Sequence, residues 1–207
     1  MDFKGRAKKW DSESMIKRSE AVAQELDNIL GNRYENASVM EYGCATGLIS
    51  FNFINKFKKI TLMDSEDEML DVVREKIRYY KTKNIFPINI DLTKEEYNDE
   101  KFDIIYTSMT LHHIKDTKDI VNKFYNLLNE NGILCVMELD KEDGRFHMNE
   151  IDFDGHNGFE HDEMEDAFEK AGFNNIRSET FYQDKKIYKD IVIPYSMFYT
   201  IGKKIEN

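Results

Sequence analysis

The chain has 207 residues, 41% hydrophobic and 13% aromatic, enough to bury one full core with little left for a second. Its formal charge of −11 argues against a nucleic-acid partner, which relies on a basic stripe; the one basic cluster is Lys4, Arg6, Lys8 and Lys9. No apolar run approaches a membrane span, and MDFKGRAKKWD lacks the apolar core of a secretory signal, so a cytoplasmic protein is expected.

The first predicted element is a helix in SESMIKRSEAVAQELDNILG, where Ile16, Val22, Leu26, Ile29 and Leu30 recur at near-helical spacing and Gly31 is the stop. Short, dense apolar runs follow: SVMEY (38–42), KITLMD (59–64), IFPINI (85–90), FDIIYTS (102–108) and ILCVMEL (133–139). Helical stretches such as SEDEMLDVVREKIRYYK and KDIVNKFYNLLNENG lie between them. Strands buried on both faces read as continuous apolar runs, so the pattern predicts an α/β fold, a parallel sheet with helices on both sides. Cys44 and Cys135 fall in strand-like segments, far apart, with neither disulfide-framework nor metal-knuckle spacing. After residue 158 the order changes. GFEHDEMEDAFEKAGF reads as helical up to Gly172, NNIRSETFY as a strand, and SMFYTIGKK as a last strand with no crossover helix before it. Two such strands pair antiparallel or lie apart. Pro194 cannot donate to a ladder, so the last strand is expected to begin at or after it.

SVMEYGCATGLISF, residues 38–51, reads as a buried strand turning abruptly into a helix. A dinucleotide fingerprint needs glycines at 43, 45 and 48, but Ala45 and Leu48 stand at the last two; a phosphate loop needs Lys and Ser or Thr after Gly47. What remains is an acid, Glu41, and glycines four apart, Gly43 and Gly47, where backbone can approach a ligand closely.

These residues resemble the first motif of the class I S-adenosylmethionine-dependent methyltransferases, an acid-x-Gly-x-Gly-x-Gly turn in which Ala45 takes the middle glycine's place. Asp64, Ser65 and Met69 in LMDSEDEML resemble the family's second-strand acid, which accepts from the ribose hydroxyls, and the residues that follow it. Asp91 and Leu92 in INIDLT stand where an acid lies near the adenine, and FDIIYTSMTLHHIKD resembles the fourth-strand motif, bringing in Thr107, Ser108 and the pair His112 and His113. NGILCVMELD and the AGF at 171–173 match the fifth strand and the turn before the sixth. The resemblance implies a Rossmann-like, doubly wound sheet of seven strands, mostly parallel, with the last inserted antiparallel between the fifth and sixth. It also implies S-adenosyl-L-methionine as cofactor, S-adenosyl-L-homocysteine as product, and a small-molecule acceptor. Such a donor has no phosphates, so carboxylates that accept from hydroxyls and amines suit it where a nucleotide site would carry bases.

On this reading residues 1–207 are one methyltransferase domain, with 1–31 as an N-terminal helical cover that carries Trp10, and 140–160 as a substrate-covering loop. The window 140–169 holds twelve acids against Lys141 and Arg145. Its negative field favours a cationic or amine-bearing acceptor and disfavours a phosphorylated one. His147 is the expected base, with His112 second, because imidazole can take a proton near neutral pH. No tight ligand spacing predicts a metal. Glu41 and Asp64 have the alternative reading of turn or capping acids, Asp91 of beginning a turn, and Met69 of core packing. Two other functions stay open: a non-catalytic adenosylmethionine-binding partner, and an RNA or protein methyltransferase supported by the N-terminal basic cluster alone.

Overall fold

The computed structural model describes residues 10–31, 35–150 and 152–205; the basic cluster Lys4, Arg6, Lys8 and Lys9 lies outside them. Helix α1 spans Glu13–Leu30: the Ser12 side chain accepts from the Met15 N–H at its start, and Gly31, at φ +61°, ends it. Its buried stripe is Val22, Ala23, Leu26 and Leu30, while Ile16, expected on that face, is 38% exposed.

The strands are β1 (Ser38–Tyr42), β2 (Lys59–Asp64), β3 (Ile85–Asn89), β4 (Phe102–Ser108), β5 (Leu128–Leu139), β6 (Asn174–Tyr188) and β7 (Ile191–Lys203). They form one seven-stranded sheet in the order β3-β2-β1-β4-β5-β7-β6. The pairs from β3 through β5 are parallel, whereas β7 runs antiparallel to both β5 and β6. Helices α2 (Asp67–Tyr80), α3 (Thr117–Leu127) and α4 (His161–Ala171) complete the layers. Alternate strand residues feed opposite faces: Val39, Ile104 and Cys135 pack with α1 and α2, while Met40, Ile105 and Leu134 pack with α3 and α4. Leu26, Leu62, Ile105 and Leu134 are fully buried, each burial stabilising the fold by about 1.5–3 kcal/mol.

Four expectations are corrected. The helix expected to run to residue 132 stops at Leu127, because Asn131 takes φ +62° and Leu128 already pairs with Phe102. Cys44 lies in the turn after β1, not in a strand; it and Cys135 are buried free thiols. Strand β6 continues to Tyr188, well past the expected stretch. Pro194 lies inside β7, opposite Lys185. It is tolerated because the β5 ladder reaches only as far as Met197 along β7, so residues 191–195 have β6 as their sole strand neighbour and half their N–H groups need no ladder acceptor. Among the described residues no helix is long and apolar enough to cross a membrane.

Candidate active site

The strand order reverses between β1 and β4, and the turn after β1 opens at this point. Gly43 sits at φ +71°, where a Cβ would collide with the Thr110 side chain, so only glycine fits. Ala45 is also left-handed, at φ +46°, at a cost of about 1–2 kcal/mol for a residue with a Cβ. Its N–H donates to Asp64 Oδ2 at 2.7 Å, which holds it there. Gly47, at φ +77°, leaves room for Phe51 and Leu62.

Asp64, at the end of β2, also accepts from the Glu66 N–H at 2.9 Å. Burial raises its pKa, with the N–H groups of Glu66, Ala45 and Ser65 opposing the shift. It lines a cavity of about 720 Å³ together with Ser65, Met69 and Asp91. Met69 is 2% exposed yet belongs to neither packed layer. Asp91 also serves its own turn: Oδ1 accepts from the Thr93 N–H at 3.0 Å and Oδ2 pairs with Lys94 at 2.7 Å. Burial would raise its pKa, but Lys94 and Thr93 outweigh this and hold it low.

A second cavity, of about 570 Å³, lies beside the first and shares Trp10, Gly43, Ala45, Met109 and His113 with it. Glu41 lines it from β1. Its carboxylate is buried and accepts from Ser50 Oγ and from Tyr106 Oη, the latter at 3.2 Å. Burial pushes its pKa up to about 7 against these hydrogen bonds. His112 also lines this cavity, and its Nδ1 donates to Glu138 Oε2 at 2.8 Å. Glu138, fully buried at the end of β5, also accepts from the N–H groups of Thr110, His112 and Leu139. Burial would raise its pKa; His112 and these N–H groups outweigh that and hold the carboxyl below its ordinary range.

His147 stacks on Phe153 with ring centroids 3.8 Å apart and lies 4.9 Å from the His112 ring. Its Nδ1 donates to Glu150 Oε1 at 3.1 Å, which leaves Nε2 as the acceptor nitrogen, buried and without a partner among the described residues. Burial, and then His112, lower the pKa of His147, and burial with both neighbouring imidazoles lowers that of His113 to about 4. Both rings are therefore neutral near pH 7.

The segment carrying His147 is closed at its base, where Asp140 bridges Phe159. It is pinned over the histidine turn by a 2.7 Å bond from the His156 N–H to the His112 carbonyl. Three acids of the window 140–169 have cationic partners: Asp143 pairs with Arg145 at 2.8 Å, Asp154 with Lys115 at 2.6 Å and Asp166, on α4, with Lys170 at 2.6 Å, while Asp152 and Asp154 also line the larger cavity. The N-terminal segment is tied down by Asp11, which accepts from Thr46 Oγ1 at 2.5 Å and pairs with Lys76 at 2.7 Å.

Of the residues singled out by sequence, Gly43 and Ala45 line both cavities, Asp64, Ser65, Met69 and Asp91 the larger, and Glu41, Ser108, His112 and His147 the smaller. Gly47, Leu92 and Thr107 line neither, and the Thr107 hydroxyl is buried without a partner among the described residues. Sequence reasoning missed Glu138, whose signal was an acid inside the apolar run ILCVMEL, and left Glu150 without a role; it brought in His113 together with His112, and His113 lines both cavities.

Residues 15–178 match the family described as "Methyltransferase domain". An uncharacterized methyltransferase of Schizosaccharomyces pombe is 28% identical over 181 residues, 81% of this chain and 63% of the relative. Malonyl-[acyl-carrier protein] O-methyltransferase 1 of Ilyobacter polytropus is 27% identical over 134 residues, 63% of this chain and 48% of the relative. The chain thus spans less than two thirds of either protein. Among solved structures, phosphoethanolamine N-methyltransferase 2 of Haemonchus contortus, in complex with phosphomonomethylethanolamine and S-adenosylhomocysteine, superposes with a TM-score of 0.73 at 13% identity, over 89% of this chain and 52% of that one. At that identity the likeness shows the fold alone. With the sheet order, the glycine turn and a family match covering most of the chain, this protein belongs to the methyltransferase-domain family.

Proposed function

We propose that this protein is an S-adenosylmethionine-dependent methyltransferase acting on a small, amine-bearing acceptor, with donor in the larger cavity and acceptor in the smaller. The observation that carries this reading is the pairing of the two cavities across one shared neck, with the Asp64 carboxylate lining the larger and the neutral His147 imidazole lining the smaller. When bound, the donor supplies a methyl carbon on a positively charged sulfur; the acceptor's lone pair bonds to that carbon as the carbon–sulfur bond breaks, releasing a neutral thioether.

The residues fit such a donor. Asp64 offers a charged acceptor to the ribose hydroxyls, and Met69 an apolar surface inside a cavity otherwise rich in acids. Gly43, Ala45 and Ser65 line the backbone path between them, and Asp91, with Leu92 packed beneath it, limits the adenine end. Thr107 and Gly47 shape the strand ends without reaching the cavities, and Glu41 and Ser108 close the smaller one beside the neck. Alignment of nucleophile and methyl is the main contribution asked of the protein. Residues 10–31 and 140–160 act as the two covers that exclude water, the first held by Asp11 and the second by the His156–His112 bond.

An acceptor amine that arrives protonated must lose a proton before it attacks. His147 Nε2 takes it, with Glu150 holding the ring through Nδ1; His112, fixed by Glu138, is the second base. The buried, unpartnered His147 Nε2 and Glu150 Oε2 support an N–H-bearing acceptor, since a bound amine supplies the missing donors. The two unpaired thiols, Cys44 and Cys135, support a reducing, cytoplasmic setting.

The test is incubation with labelled donor and a metabolite extract, followed by identification of the labelled product. His147→Ala is expected to lower turnover while leaving adenosylhomocysteine affinity unchanged. A labelled oxygen or carbon acceptor, or full turnover in the variant, would overturn the amine assignment or the base assignment respectively.

A further inference from the structure

The smaller cavity has a wall that methyl transfer to an amine does not use. Arg18, on α1, and Lys186, on β6, both line it. The Arg18 guanidinium contacts the Met15 sulfur at 2.9 Å, a weak acceptor, and forms no ion pair among the described residues. Its neighbour Lys17, by contrast, pairs with Asp184 at 2.9 Å. The Lys186 ammonium is held against the cavity by the Phe146 carbonyl at 2.7 Å and Asn149 Oδ1 at 2.8 Å, and sits 4.8 Å from the Phe146 ring centroid. Two of its three N–H donors are used and the third is left over. Arg18 and Lys186 also feel one another: burial first, and then the Arg18 charge, lower the pKa of Lys186, against the pull of Glu150 and Glu142.

The carboxylates of the same cavity do not answer these cations. Asp184 is engaged by Lys17 and by Tyr182 Oη at 2.6 Å. Glu150 holds His147, and Glu41 is bound by Ser50 and Tyr106. Two cations thus face the cavity with donors to spare, and of the carboxylates lining it Glu150 alone keeps a buried oxygen, Oε2, without a partner among the described residues.

We propose that Arg18 and Lys186 form a carboxylate-binding subsite on the α1–β6 wall of the smaller cavity, so that the methyl acceptor is zwitterionic: an amine toward His147 and a carboxylate toward Arg18. This rests on the methyl-transfer reading above and adds the acceptor's second charged end. Two in-plane N–H groups of a guanidinium and one of an ammonium match the two oxygens of a carboxylate. A phosphate dianion would meet Glu150 and Asp184 along the same wall.

The probe is a chain-length series of ω-amino carboxylates, with their methyl esters and the matching aminoalkyl phosphates, assayed with labelled donor on the full chain. The carboxylates are expected to show KM values at least about tenfold below the esters. Arg18→Gln is expected to raise the carboxylate KM by roughly ten- to a hundredfold, leave ester KM unchanged, and leave adenosylhomocysteine affinity intact. Arg18 is only part-buried, so its loss does not hollow the core, and Lys186→Gln supplies a second variant with the same expected direction. Equal KM for acids and esters, unchanged carboxylate KM in both variants, or a preference for phosphates would each overturn the subsite while methyl transfer to amines stands. Methylation of no member of the series, with donor binding intact, would overturn the amine reading and the subsite with it.

Discussion

Glu41→Gln tests the buried carboxyl most sharply. In the folded chain Glu41 is 2% exposed, and burial lifts its pKa from an ordinary 4.5 to about 7. A group whose proton affinity rises on folding contributes stability below its unfolded pKa and loses that contribution as pH climbs through the folded value. Each pKa step of one is worth about 1.4 kcal/mol, so the folded wild type forfeits about 3 kcal/mol between pH 4.5 and pH 7 through this side chain alone. Glutamine keeps the size and still accepts from Ser50 and Tyr106, whose hydroxyl oxygens can take its N–H in turn. The variant is therefore expected to match wild type near pH 4 and to exceed it by about 2–3 kcal/mol at pH 8. Urea unfolding across that range, read by tryptophan fluorescence and circular dichroism, measures the difference at each pH. Parallel stability curves for the two proteins would refute the assignment of a raised pKa to Glu41.

Asp64→Asn should weaken adenosylhomocysteine binding by about 1.5–3 kcal/mol, the worth of a hydrogen bond to a charged acceptor; calorimetry showing equal affinity would remove Asp64 from the donor site. Ala45→Gly relieves a left-handed alanine at about 1–2 kcal/mol while adding unfolded-state freedom worth about 0.4–1 kcal/mol, so a net gain of roughly 0.5–1 kcal/mol in denaturant stability is expected. Glu138→Gln sets an amide N–H against either a backbone N–H or His112 Nδ1 and should cost about 2–4 kcal/mol of stability. Because Glu138 has a lowered pKa, the stability that it contributes is present above its unfolded pKa and is lost as pH falls through the folded one, and the variant should lack that acid-side loss.

Strands β1, β2 and β4 were legible to the residue because each is covered on both faces and so reads as an unbroken apolar run. The outer halves of β6 and β7 were not, since QDKKIY and IVIPY stand beyond the helical layers and their side chains answer to water as much as to a core. The side of the site proposed for the donor was written locally, in acids and glycines at strand ends that need only a strand–turn–helix reading. The acceptor side was not: His112 meets Glu138 across 26 residues, Glu41 meets Tyr106 across 65, and Lys186 meets Phe146 across 40. Pairings at those separations depend on strand order, which the apolar pattern by itself leaves open. Arg18 lies on a helix whose spacing predicts only a buried stripe, and nothing in its neighbours hints that β6 will stand opposite.

Trp10 forms part of the wall of both cavities, and Asp11 beside it carries the bonds that seat this stretch on the turn after β1. Any displacement that frees Thr46 and Lys76 from Asp11 thus unroofs the two chambers together. On the proposed assignment of donor and acceptor to these cavities, spent donor and methylated product share that roof, and Asp11→Asn is expected to raise both escape rates in step.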